Sequence, residues 1–293
     1  MSKLHRVHDG DFGSVSVLEL TGELVPHVHS SVNLSFWLAG APAPLSLNGR
    51  AIGHDAETAA VINAFVPHCL KVESAAQTHT LSFYLDPDWL AHHLPAGTPA
   101  GFTDLKLPIS PALRDELQAL ADMLINESCD PYEIDCAILV FLKRALAACQ
   151  VEDAEAAIRE RRAKDFRLRK AVALMRENMS RGLDMEEVAR AAGLSRPHLF
   201  SLFRDQLDLT PGVFWNSLRL EEAVNQMRAS EDNLTSIASS LGFTAQCNFT
   251  RFFRQHTGVT PSDYRGALPG GPEIRHARGR HWAGCADSAF QTV

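Results

Sequence analysis

Two similar segments lie about fifty residues apart in the C-terminal half of the sequence. The first copy spans residues 188–211 and the second spans 237–261. The copies are offset by 49 positions up to the pair Ser195 and Thr244 and by 50 positions beyond it, because the second copy has one extra residue. A repeat of this kind indicates two copies of one supersecondary unit. This feature restricts the possible folds more than any other.

Each copy has the residues of a helix-turn-helix. Gly193 and Gly242 fall where a first helix would end, and glycine readily adopts the left-handed conformation of a tight turn. Ser195 and Thr244 follow as suitable N-caps of a second helix. That second helix has an apolar stripe in both copies, formed by Leu199, Leu202 and Phe203 and by Phe249, Phe252 and Phe253. The pattern predicts two modules whose second helices enter the major groove of DNA.

The arrangement resembles the DNA-binding domain of the AraC/XylS family of transcription regulators. The family motif has a Gly-Phe turn, then a recognition helix, then Gly-x-x-Pro-x-x-Tyr-Arg. It is present here as Gly242-Phe243 and as residues 258–265. The resemblance covers residues 166–268 and implies an all-α domain of two modules, joined by a linker helix at 218–230. It also implies double-stranded DNA as a partner.

The same resemblance places the DNA contacts on the outward positions of the two recognition helices. Arg251 combines such a position with a side chain that can bind guanine through two hydrogen bonds. Phe200 would contact thymine methyl groups or pack on a neighbouring helix. The candidate DNA-binding residues are Arg196, Pro197, His198, Phe200, Ser201, Arg204, Gln246, Cys247, Asn248, Thr250, Arg251 and Arg254.

The charge balance differs between the two halves of the chain. Residues 1–150 contain 17 acidic and 8 basic side chains, whereas residues 164–268 contain 12 acidic and 14 basic ones. An excess of two basic residues is small for a DNA-binding surface, which normally has clustered Lys and Arg. Charge alone therefore does not predict DNA binding, but the difference indicates that the two halves have different partners.

The N-terminal part has the pattern of a β-rich domain followed by helices. Short apolar or alternating runs, separated by Gly, Pro and Asn, predict a sandwich or a small barrel. These runs are residues 15–20, 34–38, 45–47, 60–62 and 80–85. Two helices are predicted at about 110–127 and 131–149, the first with Ser110 as N-cap and Pro111 at its first position.

Both predicted helices have an apolar stripe. The stripes consist of Leu113, Leu117, Leu120 and Leu124 in the first helix and of Ile138, Leu139, Leu142 and Leu146 in the second. Such stripes have two interpretations: they form a dimer interface, or they pack onto the β-rich domain.

A histidine pattern in the β-rich part resembles the two cupin motifs. His27, His29 and Asn33 match the first motif, and His68 matches the second. In a strand His27 and His29 would project to one face, and with His68 they could surround a metal ion or an anionic ligand. Metal-binding cupins have Glu where Asn33 stands, so we expect no metal and no cofactor. We interpret these four residues as part of an effector site, with structural histidines as the alternative.

These observations predict an α+β chain of two domains. Residues 1–150 form a cupin-like β-barrel with a helical dimerisation segment, 151–165 a linker, 166–268 the all-α DNA-binding domain with two helix-turn-helix modules and 269–293 a disordered tail. We expect an effector-responsive activator without enzymatic activity, acting as a homodimer with DNA, a small-molecule effector and RNA polymerase as partners. The alternatives are a metal-dependent cupin enzyme fused to a DNA-binding domain and a constitutive DNA-binding dimer.

The location of the protein is predicted from three absences in the sequence. It has no signal peptide pattern, no apolar run of the ~20 residues that a membrane span needs, and no paired spacing among its six cysteines. Free thiols are typical of a reducing compartment. We therefore expect a cytoplasmic protein that does not interact with a membrane.

Overall fold

The computed structural model of the chain describes residues 1–47, 49–72, 76–93, 102, 104–126, 128–149, 165–179 and 183–269. The predicted linker at 151–165 lies outside these residues except for Asp165, and so does the predicted tail at 269–293 except for Pro269. Both stay predictions. No helix in the described part of the chain combines the length and hydropathy that spanning a membrane would take.

The N-terminal half contains nine described strands. They are β1 (Lys3–Gly10), β2 (Gly13–Leu20), β3 (Val32–Gly40), β4 (Leu45–Leu47), β5 (Arg50–Ile52), β6 (Thr58–Ile62), β7 (His68–Leu70), β8 (Thr78–Leu85) and β9 (Lys106–Pro108). All pairings are antiparallel. They give a six-stranded sheet in the order β1-β2-β8-β3-β6-β9 and a three-stranded sheet in the order β5-β4-β7.

A shared apolar core joins the two sheets. Leu20 and Ile62 of the larger sheet pack in it with Leu45, Leu47 and Leu70 of the smaller one. The β-rich class is confirmed, but the described strands form open sheets and not the closed barrel that we predicted. Strand β1 is an edge of the larger sheet. The C-terminal domain packs against this edge strand and accepts a backbone hydrogen bond from it.

Three helices complete the N-terminal half: α1 (Pro87–His93), α2 (Pro111–Ile125) and α3 (Pro131–Ala148). Ser110 caps α2, as predicted, by accepting a hydrogen bond from the backbone N–H of Leu113. The apolar stripes of α2 and α3 are buried with Phe36 and Phe83 of the larger sheet, except for Leu139, which is exposed. The stripes therefore pack onto the sheet, which is the second of the two interpretations.

The C-terminal half is helical throughout its described residues, as predicted. Its helices are α4 (Phe166–Glu177), α5 (Met185–Ala191), α6 (Arg196–Leu207), α7 (Pro211–Ala229), α8 (Leu234–Ser240), α9 (Gln246–Thr257) and α10 (Pro261–Gly266). The pairs α5–α6 and α8–α9 are the two predicted helix-turn-helix units. The linker helix α7 begins at Pro211, seven residues before the predicted start, because Thr210 caps it and Pro211 takes its first position.

The two turns differ where the sequence has its extra residue. Gly193 and Gly242 have φ angles of +74° and +75°, the left-handed conformation that we predicted. Ser195 caps α6, but Thr244 does not cap α9. The N-cap of α9 is Ala245, which has no side-chain oxygen, because the longer second turn shifts the start of the helix by one residue.

Each module has its own apolar core. Leu199, Leu202 and Phe203 are buried in the first, and Phe249, Phe252 and Phe253 are buried in the second, as predicted. Residues of the N-terminal half join these cores: Val28 and the half-buried Phe65 pack in the first, and Val7 and the half-buried Leu4 pack in the second. Both modules therefore dock on the β-rich domain.

Candidate DNA interface and inter-domain pocket

The second recognition helix, α9, has a polar and cationic outer face. It contains no Asp or Glu, and neither Arg251 nor Arg254 makes an ion pair within the described residues. Such guanidinium groups can bind guanine or a phosphate. Of the predicted residues, Thr250 is half-buried, and the exposed ones are Gln246, Cys247, Asn248, Arg251 and Arg254.

The first recognition helix, α6, is less suited to reading bases. Phe200 is half-buried, and the guanidinium of Arg196 lies 4.9 Å from the centroid of its ring, a cation–π contact. The hydroxyl of Ser201 donates to Asp205 at 3.0 Å, which places an acidic group on this surface. The remaining predicted residues are exposed, namely Pro197, His198 and Arg204.

Helix α7 holds the turn of the second module. Nε of Arg219 donates to the carbonyl oxygen of Leu241 at 3.0 Å. Its guanidinium lies 3.7 Å from the centroid of the Phe243 ring, and burial lowers the pKa of this group. A movement of α7 would therefore also move the turn that precedes helix α9.

A loop of the β-rich domain is bonded to the C-terminal domain. Three of its donors lie in the segment 25–30, which we call the joint segment. The backbone N–H groups donate from Val25 to the carbonyl of Gln255 at 3.1 Å, from Val28 to the hydroxyl of Ser217 at 3.1 Å and from Ser30 to the carboxylate of Glu221 at 2.6 Å. The joint segment thus contacts both α7 and α9.

Strand β1 makes a second connection between the domains. The backbone N–H of Val7 donates to the carbonyl of Ala267 at 3.0 Å. The guanidinium of Arg228 in α7 lies 3.1 Å from the Asp9 carboxylate and 3.2 Å from the Tyr264 hydroxyl. Although burial disfavours its charge, the neighbouring Asp9 raises the pKa of Arg228 above its usual value. A buried ion pair therefore joins β1 to the linker helix.

A pocket of about 120 Å³ lies between the two connections. Both domains contribute to its wall. Its apolar lining includes Leu4, Leu18, Leu24, Leu220, Val224 and Val259, and its polar lining includes His27, His29, Tyr84, Arg228, His256 and Tyr264. A cavity with an apolar body and a few polar groups on one side is typical of a small-molecule site.

The structure brings together three of the four predicted effector residues. The ring centroids of His27 and His68 are 4.3 Å apart, those of His27 and His29 4.8 Å, and those of His29 and His68 5.0 Å. His27 and His29 line the pocket, whereas neither His68 nor Asn33 does. Asn33 is buried in β3, where its side-chain amide donates to the carbonyl of Phe83 at 3.0 Å.

The two neighbouring histidines do not lie in a strand, contrary to the prediction. His27 lies in the loop between β2 and β3 and makes an isolated bridge with His68 of strand β7. Hydrogen bonds from the joint segment to α7 and α9 hold this loop against the C-terminal domain. The histidine group therefore borders the domain interface and not the interior of a barrel.

Burial controls the charge of the pocket wall. It lowers the pKa of His27 and His29, which the other histidines lower further, and it lowers the pKa of His68 to about 4. Burial also lowers the pKa of His256 and raises that of Tyr84. At neutral pH these groups are uncharged, so they donate or accept hydrogen bonds. The charged side chains of the lining are Arg228, which is paired with Asp9, and Glu221, whose pKa is raised by burial.

The contribution of the C-terminal domain to this pocket has little signal in the sequence. Arg228, His256 and Tyr264 lie in helices where they look like ordinary surface residues. Arg228 and His256 are only 7% exposed in the fold. In the C-terminal domain, the sequence signal near the pocket is the Tyr264-Arg265 pair of the C-terminal motif, which by itself indicates only a DNA-binding domain.

Comparison with known proteins supports the interpretation of the C-terminal half. The model of a helix-turn-helix domain family matches residues 188–267. Regulatory protein SoxS of Escherichia coli K12 is 34% identical over 97 residues, which is 33% of this chain and 91% of SoxS. The raffinose operon regulatory protein RafR of Pediococcus pentosaceus is 31% identical over 98 residues, 33% of this chain and 35% of RafR.

Solved structures extend the similarity to the whole fold. An apo form of ToxT from Vibrio cholerae, a variant with one lysine replaced by alanine, is 15% identical and has a TM-score of 0.55, over 90% of this chain and 100% of ToxT. ToxT with a bound unsaturated fatty acid is 12% identical and has a TM-score of 0.51, over 92% of this chain and 96% of ToxT. These TM-scores over nearly the whole of both chains show a shared two-domain fold.

The matches to curated relatives concern the DNA-binding region. The chain spans about a third of the length of RafR, the first of these relatives, but nearly all of SoxS. The repeat, the turn glycines, the two apolar cores and the helix-turn-helix match all agree with one assignment. The chain belongs to the AraC/XylS family of transcriptional regulators.

Proposed function

We propose that the protein regulates transcription by binding double-stranded DNA through α6 and α9, and that a small amphipathic carboxylic acid in the inter-domain pocket controls this binding. The observation that carries the proposal is the position of the pocket. Its wall comes from the β-rich domain and from helices α7, α9 and α10. A ligand there contacts both halves and can favour one arrangement of the DNA-binding domain over another.

The pocket lining suggests the class of effector. Leucine and valine side chains suit an aliphatic chain, and Arg228 with the neighbouring imidazoles and tyrosines suits an acidic head group. A ToxT structure with a similar fold contains an unsaturated fatty acid, which supports testing this class. We propose that His27 and His29 contact the effector and that Asn33 and His68 support the site from outside its wall.

The effector proposal is tested by ligand binding to the full chain. Straight-chain monocarboxylic acids of increasing length are added to the purified protein, and the unfolding temperature is measured. An acid that binds the folded state raises this temperature, and the rise grows with the logarithm of the acid concentration once this exceeds the Kd. The variant Val224→Phe, which fills the pocket, should lose the shift. The corresponding alcohols serve as matched ligands without charge. If no acid shifts the unfolding temperature of the wild-type protein, the effector class is wrong.

The DNA contacts divide into base readers and phosphate contacts. We propose that Arg251 reads a guanine, that Cys247, Thr250 and their neighbours Gln246 and Asn248 contact adjacent base edges, and that Arg254 binds phosphate. In α6 we propose that Arg196, His198 and Arg204 bind phosphates. The other contacts of this helix are made by Pro197, Phe200 and Ser201. Because acidic Asp205 lies beside Ser201, we expect α6 to contribute less to sequence preference than α9.

Replacing Arg251 by alanine should weaken binding to a duplex selected from a random pool by about 1–3 kcal/mol and relax the preference at one base pair. Arg251 is exposed and makes no ion pair within the described residues, so the change should not affect folding. Selection experiments on both proteins measure the preference. An equal loss of affinity for selected and random DNA would show that Arg251 only contacts a phosphate.

We further propose that residues 166–268 are the DNA-binding unit and 1–150 the sensing unit. We place the protein in the cytoplasm as a homodimer that contacts RNA polymerase and activates transcription. The apolar stripes of α2 and α3 are covered by the sheet. A dimer through these helices would therefore use their outer side, where Leu139 and Val140 are 44% and 52% exposed.

Replacing Leu139 by aspartate should convert this dimer into a monomer. Leu139 lies outside the core, so we expect a change in folding stability within about 0.5 kcal/mol. Sedimentation velocity measures the oligomeric state, with Ala51→Asp at an exposed position of strand β5 as a control for the same change of charge away from α3. A wild-type protein that is monomeric at micromolar concentration would exclude the dimer.

A further inference from the structure

Three histidine side chains meet beside the inter-domain pocket. One ring nitrogen each of His27, His29 and His68 lies within 4.8 Å of the other two, and the ring centroids are separated by 4.3, 4.8 and 5.0 Å. With Zn–N bonds of about 2.0–2.1 Å, two tetrahedrally placed imidazoles have ring centres about 5 Å apart. The three rings therefore already have nearly the separation that one metal ion would impose.

The backbone orients two of these rings. Nδ1 of His27 lies 2.8 Å from the carbonyl oxygen of Val25, and Nδ1 of His68 lies 2.9 Å from that of Val66. A carbonyl oxygen can only accept a hydrogen bond, so each Nδ1 has the proton and donates it. The lone pair is then on Nε2 in both rings. Histidines that bind a metal commonly have this arrangement, with the second nitrogen donating to a carbonyl.

The backbone also fixes the segments that present the rings. His27 and His68 exchange two hydrogen bonds, each with an N···O distance of 3.0 Å. The carbonyl of His29 accepts from the N–H of Phe65 at 2.8 Å. The three side chains are therefore positioned by the fold itself, and binding of an ion would not require a loop to become ordered.

The identity of the donors selects the class of metal. From the sequence we expected no metal, because Asn33 stands where a carboxylate ligand would be. In the structure the Asn33 amide is directed to the Phe83 carbonyl and is not part of the histidine group. Three neutral imidazoles suit zinc and its neighbours among the transition metals, whereas magnesium and calcium require oxygen ligands.

We propose that His27, His29 and His68 bind one divalent metal ion of the zinc class through three imidazole nitrogens, with a fourth position for water or another ligand. This site goes beyond the proposed function, because it needs neither DNA nor a carboxylic acid. His27 and His29 belong to the joint segment, which is bonded to α7 and α9. A bound ion would therefore fix the loop through which the two domains are connected.

The experiment uses the full chain, freed of metal with a chelator and titrated with Zn²⁺ and Co²⁺ in the absence of acid and DNA. We expect one ion per chain and the intense visible absorption of four-coordinate Co²⁺. His29→Ala should weaken Zn²⁺ binding by about 100-fold, since loss of a supporting residue alone costs 10–100-fold. The His29 ring makes no hydrogen bond within the described residues, so this variant should fold. Should it unfold, His29→Gln replaces it, because glutamine keeps the size of the side chain.

A second group of possible ligands provides the control. His5, Glu19 and His79 lie together on the adjacent strands β1, β2 and β8 of the larger sheet, half-buried. His79→Ala should leave the Zn²⁺ affinity and the Co²⁺ spectrum unchanged. The proposal is overturned if the wild-type protein binds no ion, if His79→Ala removes the binding, or if His29→Ala has no effect. The acid and DNA experiments are done on the metal-free protein, so their outcome is independent of this one.

Discussion

Replacing Phe253 by alanine should destabilise the second helix-turn-helix module by about 3–5 kcal/mol and abolish specific DNA binding. The Phe253 side chain is fully buried and contacts the rings of Phe249 and Tyr264 at centroid distances of 5.8 and 5.5 Å. The truncation leaves a cavity that neighbouring aromatic rings are too rigid to fill. Because a marginally stable domain has only about 5–15 kcal/mol in total, this loss is a large part of its stability.

Denaturant unfolding of the full chain and anisotropy of a labelled duplex measure the two effects. Phe166→Ala is the matched control, because Phe166 is 67% exposed at the start of α4 and its truncation should change stability by less than about 0.5 kcal/mol. A Phe253→Ala protein with wild-type unfolding and DNA affinity would contradict the assignment of this residue to the core of a DNA-binding module.

Replacing Arg228 by methionine should destabilise the folded chain by about 3–5 kcal/mol, because it removes one member of a buried ion pair and leaves the Asp9 carboxylate in the interface. Arg228 is 7% exposed and lies 3.1 Å from Asp9. The pair joins β1 to α7, so the change also loosens the connection between the N-terminal and C-terminal domains. We expect the Arg228→Met protein both to lose acid binding and to have a changed DNA affinity.

A double-mutant cycle separates the pair from other contacts. Asp9→Asn with Arg228→Met should be less destabilised than the sum of the two single changes, with a coupling of about 0.5–3 kcal/mol. Arg190→Met, at an exposed arginine in α5, is the control for loss of a cation elsewhere in the same domain. Additive effects of the two changes would show that Asp9 and Arg228 do not act as a pair.

The C-terminal domain was predictable because its signals are local. The glycines at 193 and 242 set the left-handed turns, and the apolar stripes of α6 and α9 recur with helical spacing. The prediction that Thr244 caps α9 is wrong, because the start of this helix depends on the exact length of the turn before it. The start of α7 was missed although Thr210-Pro211 is a typical helix start.

The N-terminal domain was less predictable because much of it depends on distant contacts. Strand β1 has a polar sequence and becomes a strand by pairing with β2. The three-residue strands β5, β7 and β9 are too short to show an alternating pattern. The histidines were recognised as a group from their spacing. Their position at a domain interface could not be derived, since the bonds from Val25, Val28 and Ser30 join residues about 190–230 positions apart.

We expect occupancy of the inter-domain pocket to control DNA binding. The most direct test is the affinity of the metal-free full chain for its selected duplex, measured by fluorescence anisotropy with and without a saturating carboxylic acid that binds it. Allosteric coupling of the usual size predicts a change of about 5- to 150-fold in the wild-type protein and none in Val224→Phe. An acid that binds the wild-type pocket but leaves its DNA affinity unchanged would contradict the account.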